Sequence, residues 1–247
     1  MMKWSYEETL ESTKEYFGGD ELASSAVVSK YLLKDKNNNY IEKNPDDMHR
    51  RLASEFARIE SKFGKNAISE DEIYSLLKDF KYIIPQGSPM YGIGNDHAVV
   101  SLSNCVVVDS PSDDVSSIMN RGKDLANLFK RRCGVGIDIS TLRPEHTAVS
   151  NSAGSTTGAW SFADFYSYVC RMIGQNGRRG ALMITMDVRH PDIESFVTMK
   201  HDLTKVTGAN VSVKISDDFM SAVENKQPFT LKFPVDSEDP KFSKQID

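Results

Sequence analysis

The sequence predicts an α/β protein with a helical amino-terminal region. Over residues 1–81 apolar side chains recur three or four apart, the period of amphipathic helices; from residue 82 onward short apolar runs alternate with helical stretches and Gly, Pro or Asn punctuation. The organisation read from this change is a mainly helical region 1–81, an α/β region 82–235, and a polar linker or truncated continuation 236–247. A chain of 247 residues accommodates one large domain or a small helical domain joined to an α/β domain.

In the first region, Leu22, Val27, Val28, Tyr31 and Leu32 predict an amphipathic helix over Glu21–Leu33. A clearer helix starts after Asn44-Pro45 and runs to about Phe63, with Met48, Leu52, Phe56, Ile59 and Phe63 on one stripe. Ser69 and Glu72 have capping-box spacing, Ile68 offers a staple, and Ile73, Leu76, Leu77 and Phe80 continue a buried stripe. These features build a core and specify no chemistry. Tyr82–Met90, YIIPQGSPM, reads as a constrained loop.

Beyond it, Val99–Val108 reads as a strand ending in a ligand-facing loop, and Met119–Phe129 as a helix. The polar stretch Asn151–Gly158 precedes an aromatic-rich helix over Ser161–Met172, and Gly174–Gly180 forms a turn before a strand at Ala181–Met186. A short helix at Pro191–Met199, a strand at Asn210–Ile215, a helix at Asp217–Val223 and a strand at Phe229–Phe233 complete the alternation. No internal repeat is present.

Composition narrows the function classes. Hydrophobic residues at 39% and charged residues at 26% are ordinary for a soluble globular chain. There is no run of about 18 apolar residues and no basic-then-apolar leader pattern, so a cytoplasmic protein without a membrane span is expected. A formal charge of -5 disfavours extended nucleic acid as a partner but is compatible with a small phosphorylated ligand at a local basic site. Cys105, Cys133 and Cys170 are widely spaced, with no CxxC or HExxH pattern, so neither a disulfide scaffold nor a metal site is predicted.

Cys105 is the first chemical candidate, because it follows Ser103-Asn104 at a strand-loop position, where a second thiol would let it deliver two reducing equivalents as a disulfide forms. An inert buried cysteine is the commoner outcome for such a residue. Cys133 lies in RRCGVG, where the arginines favour a thiolate and the glycines let backbone amides approach a phosphate; a generic loop is the alternative. Cys170 sits in an apolar, aromatic segment and is assigned to packing, as are Phe162, Phe165, Tyr166 and Tyr168. Arg131, Arg132, Arg178 and Arg179, if they converge, would bind an anion; otherwise they are a solvated surface. Asp113 and Arg143 offer an acceptor for ribose or base donors and a donor for phosphate, although Asp113 also fits a helix start. Gly208 and Asn210 fit a mobile turn or an ordinary strand entry.

The stretches SLSNCVVVDS, FKRRCGVGIDISTLRP, NSAGSTTGAWSF, GRRGALMITMDVRHPDIESF and TGANVSVKISDDFM, in this order, resemble the amino-terminal half of the large catalytic subunit of ribonucleotide reductases, over most of residues 45–235. The resemblance implies a ten-stranded α/β barrel of two half-barrels, of which this chain carries an amino-terminal helical region and the first half. It implies reduction of ribonucleotides to 2′-deoxyribonucleotides by a thiyl-radical mechanism. Cys105 matches the first cysteine of the family's reducible pair, so a disulfide with a second cysteine is implied, and Ser88, Asn104, Cys133 and Gly134 match substrate-facing positions. Asp113 and Arg143 match residues that bind the deoxynucleotide or ATP specificity effector. Lys205–Asn210, including Thr207 and Gly208, resembles the loop that reports effector identity to the substrate base.

The family's Asn-x-Cys-x-Glu segment, bearing the radical cysteine, occurs nowhere in the sequence. The isolated chain is therefore expected to be inactive and to need a complementary carboxy-terminal chain or missing remainder. A half-barrel is also expected to expose an apolar sheet edge and the surface meant for its missing half, giving poor solubility in isolation, self-association or stabilisation by a complementary chain. No ATP-cone is recognisable at the amino terminus, which implies specificity control without activity switching by that domain. The resemblance further implies an alpha-subunit dimer and thioredoxin or glutaredoxin as reductant, in a bacterial or phage-infected bacterial cytoplasm. For the radical source, adenosylcobalamin is preferred over a metal-containing small subunit. The alternative is a noncatalytic nucleotide-binding or regulatory relic of the fold.

Overall fold

The computed structural model describes residues 3–64, 66–173, 180–202 and 204–246. Its described residues fall into two compact units, one running to Asn104 and the other beginning at Cys105.

The first unit is helical. Helix α1, Tyr6–Tyr16, starts with a capping box between Ser5 and Glu8. Its inward residues include Thr9 and Thr13, so no apolar stripe marks it in the sequence. Helix α2, Glu21–Lys30, is capped by Asp20 and ends before the predicted Leu33. Helix α3, Pro45–Glu60, has Asn44 as its cap and proline in its first turn, where a missing N–H costs nothing. Met48 and Leu52 are fully buried, whereas Phe56, Ile59 and Phe63 are exposed: the stripe continues past the point where the core ends.

Helix α4, Glu70–Leu77, has the predicted Ser69–Glu72 capping box and buries Ile73 and Leu77. Leu76 and Ile68 are exposed, and the helix stops before Phe80 because Asp79 and Phe80 adopt left-handed backbone. The stretch predicted as a loop at Tyr82–Met90 contains the start of a short helix, α5, Gly87–Gly92. Met90 and Ile93 pack into the helical core, so the units divide after Asn104, later than the change of pattern near Tyr82.

A buried ion pair fastens this unit. Arg51 Nε donates to Glu42 Oε1 at 2.6 Å, and its Nη2 donates to the Met90 carbonyl at 2.9 Å. Glu42 Oε2 in turn accepts the Leu33 N–H at 2.7 Å, so a single pair ties α3 to the segments after α2 and α5.

The second unit is a parallel four-stranded sheet in the order β1-β2-β3-β4, formed by Cys105–Val107, Gly134–Asp138, Leu182–Asp187 and Asn210–Lys214. Helix α6, Val115–Phe129, joins β1 to β2, and α7, Ala159–Met172, joins β2 to β3. Helix α8, Ile193–Thr198, and a 3-10 turn at Met199–His201 lead toward β4. Parallel neighbours require such crossovers, which explains the alternation seen in the sequence. The predicted strand Val99–Val108 shortens to three residues. Helix α9, Asp217–Asn225, follows β4; then β5, Phe229–Phe233, pairs antiparallel with β6, Phe242–Ile246. The polar 236–247 segment, read as a linker or tail, thus contains a strand. No disulfide is present among the described residues.

One face of the parallel sheet carries Val135, Ile137, Leu182, Ile184 and Met186, all buried with Leu125, Phe129, Ala163, Tyr166 and Cys170 in one core. Alternate positions point to the other face, where Val107 and Met183 are exposed.

Arg51→Met is expected to destabilise the first unit by about 3 kcal/mol, because it strands a buried carboxylate. Urea unfolding monitored by Trp4 fluorescence in a Trp160→Phe background checks this; an unchanged midpoint would show that the pair fastens nothing.

Candidate functional site

Because all four strands run the same way, their first residues share one rim of the sheet and their last residues the other. Cys105 opens β1 and is paired in register with Gly134, which opens β2. Asn210 opens β4 on the same rim, in register with Met183 of β3. Cys105 is exposed, contrary to the usual fate of an isolated cysteine. The open sheet face forms a groove of about 680 Å³ along which Cys105, Val107, Gly136, Met183 and Asn210 lie. On the same face Lys214 Nζ contacts Asp138 Oδ2 at 2.6 Å.

The other predicted substrate-facing residues divide. Cys133 is fully buried, and its thiol donates to the Gly134 carbonyl at 3.4 Å. Ser88 and Asn104 belong to the first unit, where the Ser88 N–H donates to Asn104 Oδ1 at 3.1 Å. Cys170 is buried as its packing role requires, and burial pushes its thiol up to about 11. Tyr166 is buried too, but Tyr168 lies on the exposed side of α7. Of the four arginines considered for an anion, Arg131 is exposed and Arg132 buried, whereas Arg178 and Arg179 lie outside the described residues.

Asp113 and Arg143 meet in the loops that follow β1 and β2. Arg143 Nε donates to Asp113 Oδ2 at 2.7 Å and the Arg143 N–H to Oδ1 at 3.1 Å. Its Nη1 and Nη2 reach the carbonyls of Ala148 and Asp113, each at 3.2 Å. Both side chains are half-buried, and an incoming phosphate would compete with Asp113 for the guanidinium. The helix start assigned to Asp113 belongs to Asp114, whose Oδ1 accepts the Ser117 N–H at 2.9 Å.

Segment 205–210 leads into β4 along α7. The Val206 N–H donates to Asp164 Oδ1 at 2.9 Å, and the Gly208 N–H to Ser167 Oγ at 2.8 Å. Lys205 lies over the Trp160 ring at 4.7 Å. A Cβ on Gly208 would stand 2.5 Å from the Ser167 carbonyl oxygen, so this glycine serves close approach to the helix. Thr207 and Asn210 are exposed.

The structure adds a hub that no individual residue announced. Asp192, nearly buried, accepts the Glu145 N–H at 3.0 Å and the Ala159 N–H at 3.2 Å, placing a carboxylate on the first turn of α7. The Asp192 N–H donates to His190 Nδ1 at 3.0 Å, so the imidazole proton sits on Nε2, 2.8 Å from the Leu142 carbonyl. Asp187 receives a bidentate grip from Arg189, at 2.8 and 2.9 Å. Burial works against its charge, yet that grip holds its carboxyl below the usual range. The string DVRHPDIESF contains this hub, but only its dense mixture of charge and proline between apolar runs could have flagged it.

The fold defines the class: an α/β domain built on a parallel sheet with one open face. The chain belongs to the ribonucleotide reductase barrel-domain family, whose model matches residues 103–246. It is 30% identical over 206 residues to a vitamin B12-dependent ribonucleoside-diphosphate reductase of Mycobacterium tuberculosis, covering 82% of this chain and 29% of that protein. A vitamin B12-dependent ribonucleoside-diphosphate reductase of Thermoplasma acidophilum is 33% identical over 135 residues, 54% of this chain and 17% of its own length. The ribonucleoside-diphosphate reductase subunit alpha of Helicobacter pylori is 26% identical over 229 residues, 88% of this chain and 27% of its own. The chain thus spans less than a third of the length of these relatives.

Gly208→Ala is expected to destabilise the second unit by about 1–3 kcal/mol through overpacking against α7, read by thermal denaturation followed at Trp160. A neutral result would mean that the segment does not need its close seat on the helix. Burial pushes the His190 imidazole below its ordinary 6.5, outweighing the Leu142 carbonyl and nearby carboxylates. The unfolded chain then binds the proton more readily, so this contribution is complete above pH 6.5 and declines as pH falls from there toward the folded pKa. Melting temperature between pH 8 and pH 5 should drop less steeply in His190→Asn than in the native chain; equal slopes would discount the imidazole.

Proposed function

We propose that this chain is the first half of a ribonucleotide reductase catalytic unit, supplying one reducing cysteine and the specificity-effector elements. The observation that carries this reading is the exposed Cys105 on the open sheet face, at the rim opposite the Asp113–Arg143 pair. Replacing a ribose 2′-hydroxyl by hydrogen consumes two electrons: two thiols become a disulfide while the hydroxyl leaves as water. Cys105 provides one of these thiols. The second, and the cysteine whose thiyl radical removes the 3′ hydrogen, come from a complementary carboxy-terminal chain or the remainder of a longer protein, which covers the groove.

Gly134 lines the floor beside Cys105 and leaves room for the sugar. A deoxynucleoside triphosphate or ATP binds at Asp113 and Arg143, its phosphate displacing the carboxylate from the guanidinium. The segment containing Lys205, Thr207, Gly208 and Asn210 adjusts to the substrate base. Two of the relatives described above are named as vitamin B12-dependent, which supports adenosylcobalamin over a metal-containing small subunit as radical source. Among the described residues no His, Cys, Asp and Glu cluster offers a metal donor set, and no radical-forming step is assigned to this chain. Thioredoxin or glutaredoxin returns the disulfide to thiols, and the catalytic units pair as dimers.

The test combines the native chain with the polypeptide that completes its barrel and measures deoxyribonucleotide formation with a dithiol reductant and adenosylcobalamin. Product from the native assembly and a loss of at least about a thousandfold in Cys105→Ser are expected, since a hydroxyl cannot form the disulfide. Effector nucleotide binding without any reduction would replace this reading by a regulatory relic of the fold.

A further inference from the structure

Between the Lys205 N–H, which donates to the Asp202 carbonyl, and the start of β4 at Asn210, segment 205–210 is held largely by side chains. Its N–H groups at Val206 and Gly208 are taken by Asp164 and Ser167 of α7. Its carbonyls are taken from the other side: Lys200 Nζ, in the 3-10 turn after α8, donates to both the Val206 and the Ala209 carbonyls at 2.6 Å. Lys200 is half-buried, whereas its sequence neighbour His201 is exposed. Val206 is fully buried with a left-handed φ of 47°, a conformation that a β-branched residue adopts only when its surroundings impose it.

We propose that Lys200 is a positioning residue for substrate choice: its ammonium latches segment 205–210 to the 3-10 turn after α8 by bridging two carbonyls, keeping the segment in its seat on α7, and effector-dependent preference among substrates works by opening or keeping that latch. The inference rests on the reductase reading given above. Two features make the latch switchable. Charge-assisted bonds to carbonyls are strong while made, yet breaking them dismantles no helix or strand. The strained Val206 backbone also relaxes when the segment lifts.

The helix that receives the segment is tied to the other rim as well. Asp192 joins the first turn of α7 to the Glu145 N–H, two residues beyond Arg143. A change in how Arg143 is engaged therefore bears on the helix against which the latched segment rests. Lys205 is not equivalent to Lys200. Its ammonium lies over Trp160 and 3.9 Å from Asp202, where it touches no carbonyl of the segment.

The experiment compares native chain, Lys200→Met and Lys200→Arg. Hydrogen exchange of the full chain reads the latch: in Lys200→Met the Val206 and Gly208 amides should exchange at least about tenfold faster, the size expected from losing charge-assisted bonds, with β3 amides unchanged. Lys200→Arg, which keeps a cation, should restore most of the protection. In the assembly with its completing polypeptide, the ratio of products formed from mixed ribonucleotides should shift with each effector in the native protein and respond at least about fivefold less in Lys200→Met. Native exchange rates in Lys200→Met would overturn the proposal. So would faster exchange accompanied by native effector dependence. If the native assembly reduces no ribonucleotide, the reductase reading fails and this proposal with it; reduction with an unaltered variant defeats the proposal alone.

Discussion

The second unit is organised around the carboxylate of Asp192. Nearly buried, it joins the loop after β2 through the Glu145 N–H to the start of α7 through the Ala159 N–H, while the residue's own backbone N–H donates to His190. An unpartnered carboxylate at that depth would be strongly unfavourable, so the donors must be in place whenever the charge is. This constraint fixes where α7 begins. The position of α7 then determines the seat of segment 205–210 through Asp164 and Ser167. The Asp187–Arg189 grip at the end of β3 adds a second anchor next to the first.

The sheet supplies the complementary asymmetry. One face buries Leu182, Ile184 and Met186 against the helices, each contributing about 2 kcal/mol on transfer from water. The other leaves Val107 and Met183 exposed along a groove that begins at Cys105. The Lys214–Asp138 contact is the charged feature of that face, and it lies away from the cysteine rim, toward the far ends of β2 and β4.

Much of this was legible from residue patterns. Alternation of short apolar runs with helices indicated parallel strands and crossovers, because parallel neighbours cannot be joined by tight turns. The capping boxes and the Asn44-Pro45 start followed from local hydrogen-bonding needs that require no tertiary information. Helix α1 was hidden because its buried face carries threonines, and α5 because Gly87 and Pro89 look like loop residues outside their packed context. The over-long stripe of α3 shows the opposite limit: periodicity reports what a helix could bury, while neighbours decide what it does bury. At the candidate site, Cys105 and the Asp113–Arg143 pair stood out through resemblance. Lys200 and Asp192 did not, since a lysine beside a loop and an aspartate after a proline look like solvated charges until their acceptors and donors are known.

The parallel order of the sheet has a consequence for how the chain acquires its structure. Within β1–β4 no two neighbouring strands can zip together from a turn, unlike the antiparallel β5 and β6; each pairing in the four-stranded sheet waits for the intervening helical segment to form and dock. Ordering of the four-stranded sheet therefore depends on long loop closures, which are slow compared with hairpin formation. During that interval β1 and β4 offer unsatisfied backbone edges and the apolar groove lies bare, so nascent chains compete between intramolecular docking and pairing with each other. Yield on refolding should accordingly be governed by chain concentration and chaperone supply more than by the stability of the finished sheet.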